Sequence, residues 1–350
     1  MCRRKRKDHI LKNPGKMKKI IKLFAIILML PAWTIAQNLD DALRYSQLNY
    51  LGTARFTGMG GAFTALGGDV SAIVLNPAAV AVFRSTEFTI TPTLVFRNNT
   101  ADFRGTKNEY KSNIGEIGQF GFVAAASLGS GSGLTGLSFA YTYNMTNSYT
   151  SHTVIKGISN ASSMADYWAS QANGLTKNRL ADDAPGAYMA YESWLIDTIP
   201  GSNTVYESIF SRYGELEYYR YGQQTSRIID KNGASAEHSI ALGATVGDKL
   251  YLGMSLNRSI VDFSSHYEHS EIDSYTFESA PDLNIPDFVN FTYTDHFDTH
   301  GSGFNFKLGV IFRPVEMLRL GFSFSTPTVY KMNERYYSNL TAYLDGDTPD

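Results

Sequence analysis

The sequence predicts an all-β chain of the transmembrane antiparallel β-barrel type, and three observations carry that expectation. Apolar residues alternate with polar ones at a period of two over repeated segments of about ten residues. The connections between these segments alternate between tight and long. After Leu30 no apolar run of about 18 residues exists, which excludes helical spans. Composition agrees: the 350 residues include 22 Tyr and 21 Phe against 3 Trp and 1 Cys, and a mean hydropathy of −0.20 is too polar for a helical membrane protein.

Taken in order, the chain opens with an export signal. Met17-Lys18-Lys19-Ile20-Ile21-Lys22 is a basic region, Leu23 to Leu30 an apolar core, and Thr34-Ile35-Ala36 a small-residue cleavage site. Residues 1–36 are therefore expected to be removed, with Met17 an alternative start of ordinary length. Cys2 precedes the apolar core, outside any lipoprotein cleavage box, and leaves with the signal. Ten of the 31 basic residues and one of the 33 acidic ones go too, leaving 21 basic and 32 acidic residues and a net charge of −11. So acidic a chain is a poor nucleic-acid partner, and an exported chain without cysteine is no disulfide-stapled module.

Residues 37–85 break the alternation. Leu39 to Tyr45 reads as one or two helical turns with acids early. Gly58 to Phe83 is rich in small residues, with Asp69 placed to cap a short helix from Val70 and Pro77 placed to end it or start the next. Such a stretch packs inside something larger.

From residue 86 period two takes over. Phe88, Ile90, Leu94 and Phe96 share one face of the first strand while Thr89, Thr91, Thr93 and Arg97 take the other. Further strands are marked by Phe120 to Leu128, Leu137 to Tyr143, Ile240 to Val246, Leu250 to Leu256, Phe304 to Phe312 and Leu318 to Phe324, seven in all. Tight turns are expected at Gly129 to Gly133, Gly247-Asp248 and Arg313 to Glu316. Long polar loops are expected at residues 98–112, at 148–234, and at 271–300. This parity fits an outer-membrane barrel and puts the N-terminal stretch at the periplasmic mouth.

Several residues now carry a resemblance. Gly58-Met59-Gly60-Gly61-Ala62, then Asp69, then Asn76-Pro77-Ala78 resemble the hatch of the outer-membrane long-chain fatty-acid transporter (FadL/TodX) family. Asp248 to Gly253, Leu318 to Gly321 and Thr326 to Tyr330 are similar to strand motifs of its members, especially those of Bacteroides-like bacteria. The resemblance spans nearly the whole mature chain. It implies a fourteen-stranded barrel in the outer membrane of a Gram-negative bacterium, monomeric, with a small α/irregular hatch in its lumen. It implies passive transport of fatty acids or similar hydrophobic ligands, with no enzymatic activity, cofactor or metal. Outer-membrane lipids and the barrel-assembly machinery are its implied partners. Seven strands are half that number, and open sheet edges in lipid cost several kcal/mol per unpaired group, so residues 86–350 are expected to be a partial barrel and the sequence a fragment.

Two site sets follow. Gly58, Gly60, Gly61, Asp69, Asn76, Pro77 and Ala78 form the hatch motif, with the glycines expected to allow close packing and unusual backbone angles. Met164, Tyr167, Trp168, Met189, Trp194 and Leu195, in the 148–234 insertion, are candidates for an outer hydrophobic ligand groove, weighed against simple loop packing. A nonselective porin and a surface binding or adhesion barrel, heme-binding included, remain alternatives. His266, His269, His296 and His300 fall near one another in polar segments, as metal ligands or as solvated loop residues. Gly131-x-Gly133-x-x-Gly136 matches a dinucleotide fingerprint literally, but a strand follows where the phosphate mechanism needs a helix.

Overall fold

The computed structural model describes residues 39–49, 51–129, 133–212, 221–273 and 287–345. The expected signal peptide, the tip of the Gly129–Gly133 turn and the chain beyond residue 345 lie outside them. Two units are distinguished, Met1–Gln47 and Leu48–Asp350. In the first, Leu39–Ser46 is the expected short helix, with Arg44 Nη1 on Asp41 Oδ1 at 2.5 Å. No helix among the described residues is long and apolar enough to cross a membrane.

The second unit is dominated by one curled antiparallel sheet of half-barrel form, and strand makes up 61% of the structure, as the all-β expectation requires. Its strands are β1 Glu87–Phe103, β2 Thr106–Ser127, β3 Leu134–Ser148, β4 Ser151–Ser159, β7 Gln223–Val246, β8 Leu250–Ile272, β9 Asp287–Val315, β10 Leu318–Ser325 and β11 Val329–Asp345. A small hairpin, β5 Ile196–Thr198 with β6 Tyr206–Ser208, stands apart. Both β3 and β4 pair with β7, and both β10 and β11 pair with β9. The sheet is therefore a meander of seven passes, two of them broken midway, the last at Pro327, whose missing N–H cannot continue the ladder.

The expected long loops are corrected. The charged stretch 98–112 is strand, turned by Arg104 and Gly105 alone, both with positive φ as a two-residue hairpin demands. The 148–234 loop shrinks to 160–222, because β4 and the first half of β7 pair from Ser151↔Lys231 to Ser159↔Gln223. Residues 287–300, placed in the third loop, are the first half of β9. In all three places the backbone ladder continues where the strict apolar alternation of the sequence gives out.

The two faces of the sheet differ. One exposes a band of Phe88, Leu94, Leu242, Leu256, Phe304 and Phe322, with Phe88 at 68% of its full accessibility. The other is small and polar, and the segment 51–83 packs on it. Phe56, Phe63, Val70, Ile73 and Val80 of that segment form one cluster with Val123, Ala140 and Ala241 of the sheet.

Candidate functional site

The segment 51–83 is built by its caps. Thr53 Oγ1 accepts from Phe56 N at the start of the helix Ala54–Gly58, and Asp69 Oδ1 accepts from Ser71 N at 2.9 Å before the 3₁₀ turn Val70–Val74. Asn76 Oδ1 accepts from Ala78 N at 3.0 Å before a second 3₁₀ turn, Pro77–Val82, with Pro77 first, where its missing N–H costs nothing. Asn76 is fully buried, and its amide donates to Thr64 O at 2.7 Å and, at 3.4 Å, to Val310 O of β9.

The sheet receives this segment on glycines. Gly243, Gly253 and Gly309 are successive partners across β7, β8 and β9, and a Cβ on any of them would come within 3.0 Å of Val80, Ala78 or Asn76. Gly321 of β10 meets the backbone at Thr64 and Ala65 equally closely. Of the hatch-motif glycines, Gly60 and Gly61 have the expected positive φ, 60° and 74°. Gly58 does not: it ends a helix, and open space surrounds its Cβ position and that of Gly60. The close-packing role expected of these glycines belongs to the sheet instead.

Polar side chains of the sheet then grip the segment's carbonyls. Lys307 Nζ donates to Val74 O at 2.9 Å, Arg319 Nη1 to Leu66 O at 2.7 Å and Thr245 Oγ1 to Ala81 O at 2.7 Å. Lys307 is buried and paired with Glu237 Oε1 at 2.6 Å. Asn305 donates to Glu237 Oε2, Asn257 donates to Asn305 Oδ1, and Ser239 completes the cluster. A buried charge pair endures where hydrogen bonds satisfy its remaining sites, as here. Sequence reasoning missed these anchors, although Lys307 was visible as a lone cation on the polar side of Phe304 to Phe312.

A fork opens in the wall beside this seat. The β2–β3 ladder runs only from Ser127↔Gly136 to Gln119↔Asn144. Beyond it β2 continues along β1 while β3 and β4 continue along β7, and both neighbouring ladders slip register there, at Thr91/Pro92 and at Met145/Asn147. Side chains of the β1–β2 hairpin bridge the fork: from β1, Arg97 donates to Ser148 O and Thr150 O and Asn99 to His152 O at 2.7 Å, and from β2, Asn108 donates to Lys156 O at 2.9 Å. A recess of about 540 Å³ sits at the fork, walled by Ile117, Tyr143, Met145, Ala236 and Ile260 with Glu116, His238 and Asp262.

The insertion folds as a small helical cap. Its helices Met164–Ala172, Lys177–Asp183 and Pro185–Glu192 bury Trp168, Leu180, Leu195 and Phe210 against Phe288 and Phe291 of β9. Ser163 and Asp166 form a capping box, and Asp166 Oδ2 also accepts from Tyr221 OH at 2.9 Å; burial first, then that carboxylate, pushes the Tyr221 hydroxyl well above its ordinary value. Glu271 of β8, itself buried, ties the cap to the sheet by accepting from Ser163 Oγ at 2.6 Å and Met164 N at 2.8 Å. His269 Nε2 lies 2.9 Å from the same carboxylate. Ser163 faces Glu271 and not His269, so this trio anchors a helix rather than activating a nucleophile.

Beside this anchor lies a cavity of about 650 Å³ with apolar walls at Ala101, Phe103, Ile155, Met164 and Tyr167, and with Arg227, Tyr267 and His269 as well as the carboxylates of Asp102 and Glu271 at its polar side. The six groove candidates do not form one groove. Met164 and Tyr167 line this cavity; Trp168 and Leu195 are core, with the Trp168 ring 5.5 Å from that of Phe291 and tilted by 54°, and Met189 packs on that core. Trp194 is exposed elsewhere, at φ 61° where a helix ends. Phe103, Ile155 and Arg227 went unnoticed because the strands carrying them read as loop.

The four clustered histidines pair off rather than converge, and among the described residues no group of three His, Cys, Asp or Glu side chains is arranged to hold a metal. Comparison with protein-family models, with curated proteins and with solved structures finds no match to this chain.

Proposed function

We propose that this chain is part of an outer-membrane barrel that passes small hydrophobic molecules such as long-chain fatty acids, with residues 51–83 as its hatch. The observation that carries the reading is the fork between β2 and β3–β4, next to a segment seated on the sheet. An apolar molecule loses about 0.8 kcal/mol per methylene on returning to water, so a passive pathway gains by staying dry. A hatch blocks the axial, wet route; an opening in the wall offers lipid instead. In lipid, the backbone groups freed at such an opening need partners, which Arg97, Asn99 and Asn108 supply.

The cavity under the cap suits the first binding step. Its apolar wall takes an alkyl chain, and Arg227, which no carboxylate among the described residues neutralises within salt-bridge distance, offers charge to an acidic head group. The ligand then moves down toward the recess at the fork while Lys307, Arg319 and Thr245 hold the hatch in place. No step needs covalent chemistry.

Reconstitution of the full-length protein into liposomes tests this. Labelled oleate should enter faster than into empty vesicles without sugar-driven swelling, and deletion of residues 51–83 should add sugar flux. Sugar flux through the intact protein would favour a porin instead, and neither flux an adhesion barrel.

A further inference from the structure

We propose that His266 and His296 form a binding site for a divalent transition-metal ion, on a part of the sheet that the transport reading does not use. Asp230, His266, His296 and Tyr337 are successive partners on one rung, across β7, β8, β9 and β11. Residues directly opposite on adjacent antiparallel strands project to the same side with Cβ atoms about 5 Å apart. The two imidazoles accordingly lie against each other, ring centroids 4.2 Å apart and planes tilted by 33°, and Tyr337 stacks on His296 at 4.5 Å.

The surrounding histidines are spoken for differently. His152 pairs with Asp230, His269 with Glu271, His300 with Asp262, and His238 with the Tyr141 hydroxyl. His266 faces another histidine, and its Nδ1 is shut off from solvent with no hydrogen-bond partner. A buried ring nitrogen without a partner calls for one, and an ion supplies it. Two nitrogens each about 2.1 Å from one metal, on adjacent corners of its coordination sphere, are about 3 Å apart, so the two rings turn out of their mutual contact until both lone pairs point at the ion. Imidazole selects borderline ions such as Cu(II), Zn(II) or Ni(II) over Ca(II) or Mg(II), which prefer oxygen. Two imidazoles leave the ion's other positions to water admitted as the rings turn, and Asp230, which holds His152, lies on the same rung.

Cu(II) titrated into the full-length, tag-free protein in detergent, followed by electron paramagnetic resonance, reads the site directly. About one equivalent should show coupling to two imidazole nitrogens, and His266→Gln or His296→Gln should lose that signal while His300→Gln keeps it. A wild-type protein without the signal, or one whose signal survives both substitutions, overturns the proposal. Independently of any substitution, Cu(II) should protect His266 and His296 of the wild-type protein from diethyl pyrocarbonate, read by mass spectrometry. Equal labelling with and without the ion would likewise overturn it.

Discussion

Lys307 shows how a single residue binds two parts of the chain. Its ammonium sits between the Glu237 carboxylate and the Val74 carbonyl, so its removal leaves a buried anion and an unmet carbonyl at once. Lys307→Met alone is expected to destabilise the protein by about 3–5 kcal/mol, whereas Lys307→Met with Glu237→Met, which removes both charges, should cost clearly less. Denaturant unfolding in detergent, run as a double-mutant cycle with Glu237→Met alone as the fourth corner, measures the difference; a double-mutant loss equal to the sum of the two single losses would mean that the pair contributes nothing jointly. At this scale the sequence was informative where a residue type has one physical use. Asp69 was readable as a cap because a short polar side chain before a small-residue turn does little else, whereas the same role of Asn76 emerged only from the structure. Gly253 and Gly309 were not readable, since their purpose lies in a backbone more than 170 residues away in sequence.

Among the elements, the strands were legible only over their apolar band. There the alternation of Phe88 to Phe96 or Phe304 to Phe312 writes the pleat into the composition. Past that band, in residues 98–112 or 223–234, the strict alternation gives out and the periodic signal vanishes, though the ladder persists. The cap was partly legible: residues 163–169 read as helix-like and its aromatics as either loop packing or a ligand groove, and for Trp168 packing prevails, since it closes a core with Phe291 and Tyr293. The two neighbours at the start of that helix should therefore behave differently. Trp168→Ala is expected to cost about 3–5 kcal/mol and expose the cap to protease. Tyr167→Ala, at the cavity, should leave stability within about 0.5 kcal/mol of wild type while weakening retention of a fluorescent fatty acid. Limited proteolysis beside a ligand-binding titration separates the two outcomes.

For the whole molecule, the seat of residues 51–83 sets an order of events. The segment leaves the ribosome before the strands it rests on, and some of its partners follow far behind: Asn76 meets Val310 across 234 residues and Leu66 meets Arg319 across 253. Loops of that length close slowly, and their entropy is lost before any contact rewards it. Until β7, β8 and β9 stand side by side, no row of glycines exists for the segment to settle on. Assembly thus runs from the wall inward, against the direction of synthesis. In refolding followed by pulsed protease, protection should reach the strands first and residues 51–83 last; protection in the reverse order would contradict this. A nascent chain must meanwhile keep this apolar early stretch from sticking elsewhere, so the same long-range contacts that hold the finished structure make a part made early dependent on strands made much later.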